Sequence, residues 1–89
     1  MAINNLNDTI DLMTSSDYKD RFAAEYWQTK IRYTKLREMI NKYKNGELNF
    51  TPKCTVEIFE EQCKYMAMYI GLLESRAEIE GIELGIFVP

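Results

Sequence analysis

Apolar and aromatic side chains recur at helical spacing over the first half of the chain. Successive positions are three or four residues apart, which is typical of one face of an α-helix. They are Tyr18, Phe22, Tyr26, Thr29, Tyr33, Leu36, Ile40 and Tyr43. The hydroxyl side chains of residues 14–16 offer N-caps, and Asn45-Gly46 is a typical helix end. The pattern predicts a helix over about residues 16–44, roughly 43 Å long.

A second helical pattern follows, and it has two apolar stripes. It predicts a helix over about residues 55–80, with Cys54 or Thr55 as its N-cap and acidic residues in its first turns. One stripe consists of Phe59, Cys63, Met66, Ile70, Leu73 and Ala77, and the other of Ile58, Tyr65, Tyr69, Leu72 and Ile79. A helix that is apolar on two sides is expected to have more than one neighbour.

The two ends of the chain are also apolar. Ile3, Leu6, Ile10 and Met13 are spaced as in a short amphipathic helix, which we place at about residues 5–13. Residues 81–89 are apolar and interrupted by glycines, and we expect an extended tail that something must cover. The whole pattern predicts one all-α domain over residues 1–89, formed by a short N-terminal helix and a long antiparallel helical hairpin.

Size changes this picture, because 89 residues arranged as a thin hairpin bury little surface. The chain has eleven aromatic residues, a doubly striped second helix and an apolar tail. We therefore expect the surplus apolar surface to be buried between subunits of a homo-oligomer.

Composition excludes several classes of protein. The chain has no histidine, which removes the usual catalytic base and the commonest zinc ligand. Cys54 and Cys63 have neither a zinc nor a redox spacing. The net charge of -3 argues against duplex nucleic acid as a partner, and no apolar run is long enough for a membrane span. We expect no cofactor, no metal, no enzymatic activity and a reducing cytosolic environment.

The charges are distributed unevenly between the two helices. Residues 26–44 contain six basic residues and one acidic residue, whereas residues 55–83 contain seven acidic and two basic residues. One interpretation is that these opposite charges fix the antiparallel pairing, with each exposed pair contributing about 0.2–1 kcal/mol.

The other interpretation is a ligand site on the first helix. Tyr26, Lys30, Tyr33 and Arg37 share one face, with Trp27 and Lys44 beside it. Aromatic rings stack on bases, and lysine and arginine bind phosphate. Arg76, late in the second helix, is a further candidate for this site, for a helix cap or for an ion pair with another subunit. The alternative is that the tyrosines belong to the core and the basic residues to its solvated rim.

Several sequence blocks resemble a family of small crAss-phage-related proteins of unknown function. The resemblance covers about residues 17–84 and departs at Thr55, where the family usually has proline. The blocks are Asp17-Tyr18-Lys19-Asp20-Arg21-Phe22, Ala24-Glu25-Tyr26, Lys30-Ile31-Arg32-Tyr33, Lys35-Leu36, Asn45-Gly46-Glu47-Leu48-Asn49-Phe50, Pro52-Lys53-Cys54, Glu61-Gln62, Met66 and Leu73-Glu74-Ser75-Arg76-Ala77-Glu78-Ile79-Glu80-Gly81-Ile82-Glu83-Leu84.

The expected architecture is also similar to the helical sponge proteins that phages use against CBASS and Thoeris defence. This likeness implies a phage protein in the cytoplasm of an infected bacterial host, which binds a cyclic nucleotide or ADP-ribose-type signal without catalysis. The likeness would place the ligand in pockets between subunits, with Tyr26, Trp27, Lys30, Tyr33, Arg37 and Arg76 as binding residues. The alternative function is a helical adaptor or inhibitor that docks a protein through its second apolar stripe and its tail.

Overall fold

The computed structural model describes residues 2–88 and is dominated by two long helices. In chain order the elements are strand β1 (Ala2–Ile3), a 3₁₀ turn (Leu6–Thr9), helices α1 (Ile10–Met13), α2 (Tyr18–Lys44) and α3 (Val56–Glu80), and strand β2 (Ile86–Phe87). The expected helical hairpin is therefore confirmed. The molecule is elongated, with principal extents of 43 × 23 × 19 Å.

Helix α2 ends where the sequence predicts but begins two residues later. Its N-cap is Asp17, whose carboxylate accepts a hydrogen bond from the Lys19 backbone N–H, and not one of the hydroxyls of residues 14–16. The Ser15 hydroxyl donates to the carboxylate of Asp20 instead. The helix ends at Lys44, and Gly46 follows in the left-handed region at φ +70°.

Helix α3 closely follows its predicted bounds. Thr55 is the N-cap, and its side chain accepts a hydrogen bond from the Ile58 backbone N–H. Gly81 ends the helix in the left-handed conformation at φ +67°, where residues with a Cβ are strained. The Ile82 backbone N–H then donates to the Ala77 carbonyl, which turns the tail back toward the core.

Only part of the helix predicted over residues 5–13 is an α-helix. Its first half is the 3₁₀ turn, and only Ile10–Met13 form an α-helix. Asn5 and Asp8 form a capping box. The Asn5 side chain accepts from the Asn7 backbone N–H, and the Asp8 carboxylate accepts from the Asn5 backbone N–H. These short polar side chains stabilise a tight first turn, which is why the segment starts as a 3₁₀ helix.

The two long helices run antiparallel, and side-chain contacts join them along their length. The Tyr26 hydroxyl donates to Glu74 at 2.7 Å, and Lys44 pairs with Glu60 at 3.0 Å. At the other end the Tyr18 hydroxyl donates to Glu80 at 3.3 Å. The interhelical ion pairs follow the predicted charge asymmetry, although both partners of Lys44–Glu60 are half-exposed and such pairs contribute little each.

Helix α2 has two buried faces, and the sequence pattern revealed only one. The expected stripe is buried at Phe22, Tyr26 and Ile40, but Tyr18 is exposed. A second buried face consists of Ala23, Ala24, Trp27 and Ile31. It is buried where the 3₁₀ turn and α1 pack on α2, and Trp27 and Ile31 join the same core as the buried residues of α3.

The chain ends form the one departure from an all-α fold among residues 2–88. Strand β1 pairs in parallel with β2, with Ala2 opposite Ile86 and Ile3 opposite Phe87. The Val88 backbone N–H donates to the Ile3 carbonyl at 2.7 Å. The tail is extended, as predicted, and it is held by the other end of the chain; Pro89 lies outside the described residues.

The second apolar stripe of α3 is not covered within one chain. Ile58, Tyr65, Tyr69, Leu72 and Ile79 are all exposed, so the neighbour that the sequence predicts for this side is not part of the protomer. Self-association therefore stays a prediction. Within residues 2–88, no helix combines the length and the apolar character that a membrane crossing requires.

Candidate functional site

A groove of about 530 Å³ lies beside α2, where the helix meets the paired chain ends. Seven of its lining residues come from α2 and two from the terminal segments. The lining consists of Asn4, Tyr26, Trp27, Lys30, Ile31, Thr34, Lys35, Glu38 and Phe87. Three predicted ligand-binding residues, Tyr26, Trp27 and Lys30, therefore share one site.

Trp27 is the centre of the groove and is fixed from three sides. Its indole N–H donates to the Leu84 backbone carbonyl, which ties the ring to the tail. Tyr26 meets the ring edge-on, with centroids 5.0 Å apart. Phe87 lies nearly parallel to it, with centroids 6.5 Å apart and planes inclined by 24°. Because Trp27 is almost fully buried, these contacts hold its orientation without a ligand.

Tyr26 forms part of the groove wall but is mainly a core residue. Its side chain is buried, and its hydroxyl is engaged by Glu74. Burial, and after it the hydrogen bond with the Glu74 carboxylate, raises the pKa of Tyr26 far above its usual value near 10. The hydroxyl is therefore protonated at all ordinary pH values, and it donates its hydrogen bond to Glu74 of α3 and not to a ligand.

Two lysines give the groove a positive rim. Lys30 is half-buried, and its ammonium lies 4.0 Å from the Glu74 carboxylate, at the limit of an ion pair. Lys35 is exposed on the same stretch of α2, and Glu38 supplies the opposing charge. Because the ion pair of Lys30 is long and partly solvated, its ammonium can reach an anion at little cost.

Tyr33 and Arg37 lie in a separate depression of about 250 Å³ between α2 and α3. The Arg37 guanidinium lies over the Tyr33 ring, 5.6 Å from its centroid. Lys44 and Cys63 line the same depression. Burial raises the pKa of the Cys63 thiol, which makes it a packing residue rather than a thiolate.

The predicted stripe is therefore divided between two places, for a geometric reason. Residues at steps of three and four stay on one face of α2, and α3 packs against that face, with Glu74 beside Tyr26 and Lys30. Tyr26 and Lys30 reach the groove from one side of this contact, and Tyr33 and Arg37 open into the other depression.

Arg76 lies with Phe22 and Glu80 and not with the groove residues. Its guanidinium covers the Phe22 ring at 4.7 Å from the centroid, and its Nε donates to Glu80 at 3.0 Å. The structure thus shows for Arg76 a role that the sequence analysis did not consider, an ion pair within its own helix.

Sequence reasoning missed several groove residues. Ile31 belongs to the second buried face of α2, and the exposed residues Thr34, Lys35 and Glu38 continue the same side of the helix. The step of four residues from Ala23 to Trp27 to Ile31 was a usable signal for this face. Asn4 and Phe87 had no comparable signal, because they reach the groove only through pairing of the chain ends.

The fold and groove define a small helical-hairpin protein with an aromatic, lysine-rimmed groove. The family model for Sequestin matches residues 16–79, which is most of the chain, and the chain belongs to the Sequestin family. No curated protein and no solved structure matches the chain. The family match does not confirm the link to crAss-phage-related proteins or the likeness to sponges that oppose CBASS and Thoeris.

Proposed function

We propose that this protein sequesters a small nucleotide-type signal, either a cyclic nucleotide or an ADP-ribose-type molecule, and releases it chemically unchanged. The observation that carries the proposal is the groove in which Trp27 and Phe87 offer nearly parallel rings beside Lys30 and Lys35. Membership of a family named for sequestration supports ligand binding as the activity.

The aromatic part of the groove suits a nucleobase. Two stacked bases are about 3.4 Å apart, so a base between two rings needs a ring separation of about 7 Å. The centroids of Trp27 and Phe87 are 6.5 Å apart, and because Trp27 is buried, a base would reach the indole face by displacing the half-exposed Phe87. Each base–aromatic stacking contact is worth about 1–3 kcal/mol.

The polar part of the groove suits a phosphate and a sugar. Lys30 and Lys35 provide ammonium donors, and Asn4 and Thr34 provide uncharged hydrogen-bonding groups. The groove volume of about 530 Å³ lies within the range of about 300–1,000 Å³ that is usual for small-molecule sites. Effective sequestration needs nanomolar affinity, which corresponds to about -12 kcal/mol.

Binding without turnover is the form of activity that this lining favours. Glu38 is the single carboxylate in the groove lining, and the chain has no histidine to act with it as an acid–base pair. We place the activity in the cytoplasm of a phage-infected bacterium, where a CBASS or Thoeris signal would be the ligand.

The test is calorimetric titration with a panel of cyclic dinucleotides, cyclic trinucleotides, cyclic ADP-ribose isomers and linear ADP-ribose. We expect submicromolar binding of at least one ligand, and mass spectrometry should recover that ligand intact after the protein is denatured. Absence of binding across the panel by folded protein would overturn the proposal.

Variants locate the site. Lys30→Ala with Lys35→Ala should weaken binding by about tenfold or more, since one charge-assisted hydrogen bond is worth about 1.5–3 kcal/mol. Arg32→Ala is the matched control, because Arg32 is an exposed cation on the same helix and outside the groove lining. If Tyr33→Phe with Arg37→Ala abolishes binding and the lysine variant does not, the ligand occupies the depression between the helices.

The alternative function is a protein-binding adaptor, which the exposed tail supports. Ile86 and Val88 are exposed apolar residues next to Phe87. Under this alternative, capture of a partner fails with Ile86→Ser and survives Lys30→Ala with Lys35→Ala. Under the sequestration proposal, ligand binding shows the opposite pattern.

A further inference from the structure

Helix α3 has an exposed apolar seam with a strict seven-residue repeat. Ile58, Tyr65, Leu72 and Ile79 are seven residues apart, and their exposed fractions are 58%, 56%, 66% and 84%. Met68 and Tyr69 lie between the middle two and are also exposed. We call these six residues the outer seam.

The outer seam is exposed and lies beside the face of α3 that packs on α2. At about 100° per residue, the centre of the seam is about a third of a turn from the centre of the buried set Ile70, Leu73 and Ala77. Among residues 2–88, α2 is the only long helix that packs against α3. The seam is therefore a second packing face without a partner in the protomer.

We propose that a second copy of this chain covers the outer seam, with the two α3 helices antiparallel. A seven-residue apolar repeat is the pattern that packs against another helix. The outward face of α2 has charged and polar residues such as Arg21, Glu25 and Arg32, so α3 is the helix of this chain that offers a matching seam. When the outer seams of two copies pack against each other, they form a closed dimer with two-fold symmetry.

Charge along the seam selects the antiparallel direction. Glu61 flanks the seam toward its start, and Arg76 flanks it toward its end. In a parallel pair each of these residues would lie beside its own copy, with like charges facing. In an antiparallel pair Glu61 approaches Arg76 of the other copy, twice by symmetry. Arg76 already pairs with Glu80 through its Nε, but its side chain is 54% exposed and so remains accessible to a second carboxylate. Glu57 and Glu78 approach each other only at the exposed ends, where solvent screens them.

Dimerisation leaves the ligand groove accessible, because the groove and the seam lie on different sides of the hairpin. The seam extends over about 32 Å of helix. A single helix pair of this length is at the small end of specific interfaces, so we expect a dimer that forms in the micromolar range.

Sedimentation equilibrium across the micromolar range tests the interface. We expect the wild-type mass to approach two chains, and Leu72→Glu to give one chain with unchanged helical circular dichroism. Phe50→Glu is the matched control, since Phe50 is similarly exposed and lies in the loop between the helices. A wild type that stays monomeric overturns the proposal and leaves the seam to a different partner. A Leu72→Glu variant that stays dimeric also overturns it.

Disulfide cross-linking tests the direction. In a Cys54→Ser, Cys63→Ala background, a chain with Ile58→Cys is mixed with a chain with Ile79→Cys. Antiparallel pairing places the two ends of the seam opposite each other, so we expect cross-links between the two variants and none within either one. Cross-links between two copies of the Ile58→Cys chain would overturn the antiparallel arrangement. Calorimetry on Leu72→Glu separates this proposal from ligand binding, which should be unchanged.

Discussion

The hydrogen bond between the Tyr26 hydroxyl and Glu74 joins the middle of α2 to α3, and Tyr26→Phe removes it without changing the ring. A hydrogen bond to a charged acceptor contributes about 1.5–3 kcal/mol when it is well buried. Here the Glu74 side chain is 49% exposed, so water can replace the lost donor. We therefore expect a loss of about 1 kcal/mol in the free energy of unfolding, which is below that range.

Such a loss should lower the Tm by about 4–8 °C in a domain of this size. Thermal and urea denaturation followed by circular dichroism measure it, at one fixed protein concentration so that self-association does not contribute. Tyr33→Phe is the control, because the Tyr33 hydroxyl has no hydrogen-bond partner within residues 2–88, and we expect a change within about 0.5 kcal/mol. Equal effects of the two substitutions, or an unchanged Tm for Tyr26→Phe, would refute the reasoning.

Three further predictions concern the pH dependence, the core and a helix end. Because burial and the hydrogen bond to Glu74 raise the pKa of Tyr26, its contribution to stability is complete below about pH 10 and is lost as the pH rises through the raised value. The free energy of unfolding, measured in urea at a series of alkaline pH values, should therefore fall less steeply in Tyr26→Phe than in the wild type. The same pH dependence in both proteins would contradict this. Leu73→Ala should cost about 2–5 kcal/mol in urea denaturation, since Leu73 is 2% exposed, and a loss below about 1 kcal/mol would show that the core closes around the missing group. Gly81→Ala should cost about 1–2 kcal/mol from backbone strain alone, because φ is +67° and no atom lies within 4 Å of the added Cβ; an unchanged Tm would be the contrary result.

The long helices were predictable because their signals are local. Steps of three and four between apolar residues, a capping residue and a terminal glycine act within one or two turns. These signals placed α3 within one residue and the end of α2 at Lys44. The start of α2 was displaced because Asp17 caps the helix by accepting from the Lys19 backbone N–H, whereas the Ser15 hydroxyl accepts from the Asp17 backbone N–H and donates to Asp20.

The lining of the groove was only half predictable. Tyr26, Trp27 and Lys30 were placed together because aromatic and basic residues alternate on one stretch of helix. Tyr33 and Arg37 share that pattern, but they line the depression between α2 and α3 instead. Spacing shows which residues share a helix face, and it does not show which of them line the same depression.

By itself the sequence determined the helical hairpin, the antiparallel pairing of a basic with an acidic helix, and the surplus of apolar side chains on α3. Each depends on residue types and spacings within a few turns, or on net charge. Only the tertiary structure decided that the chain ends pair, since β1 and β2 are each two residues long and more than eighty residues apart. That contact carries Phe87 to Trp27 and so completes the groove. Pairing of this kind is stabilised by the core that forms between the segments, and no short-range pattern encodes it.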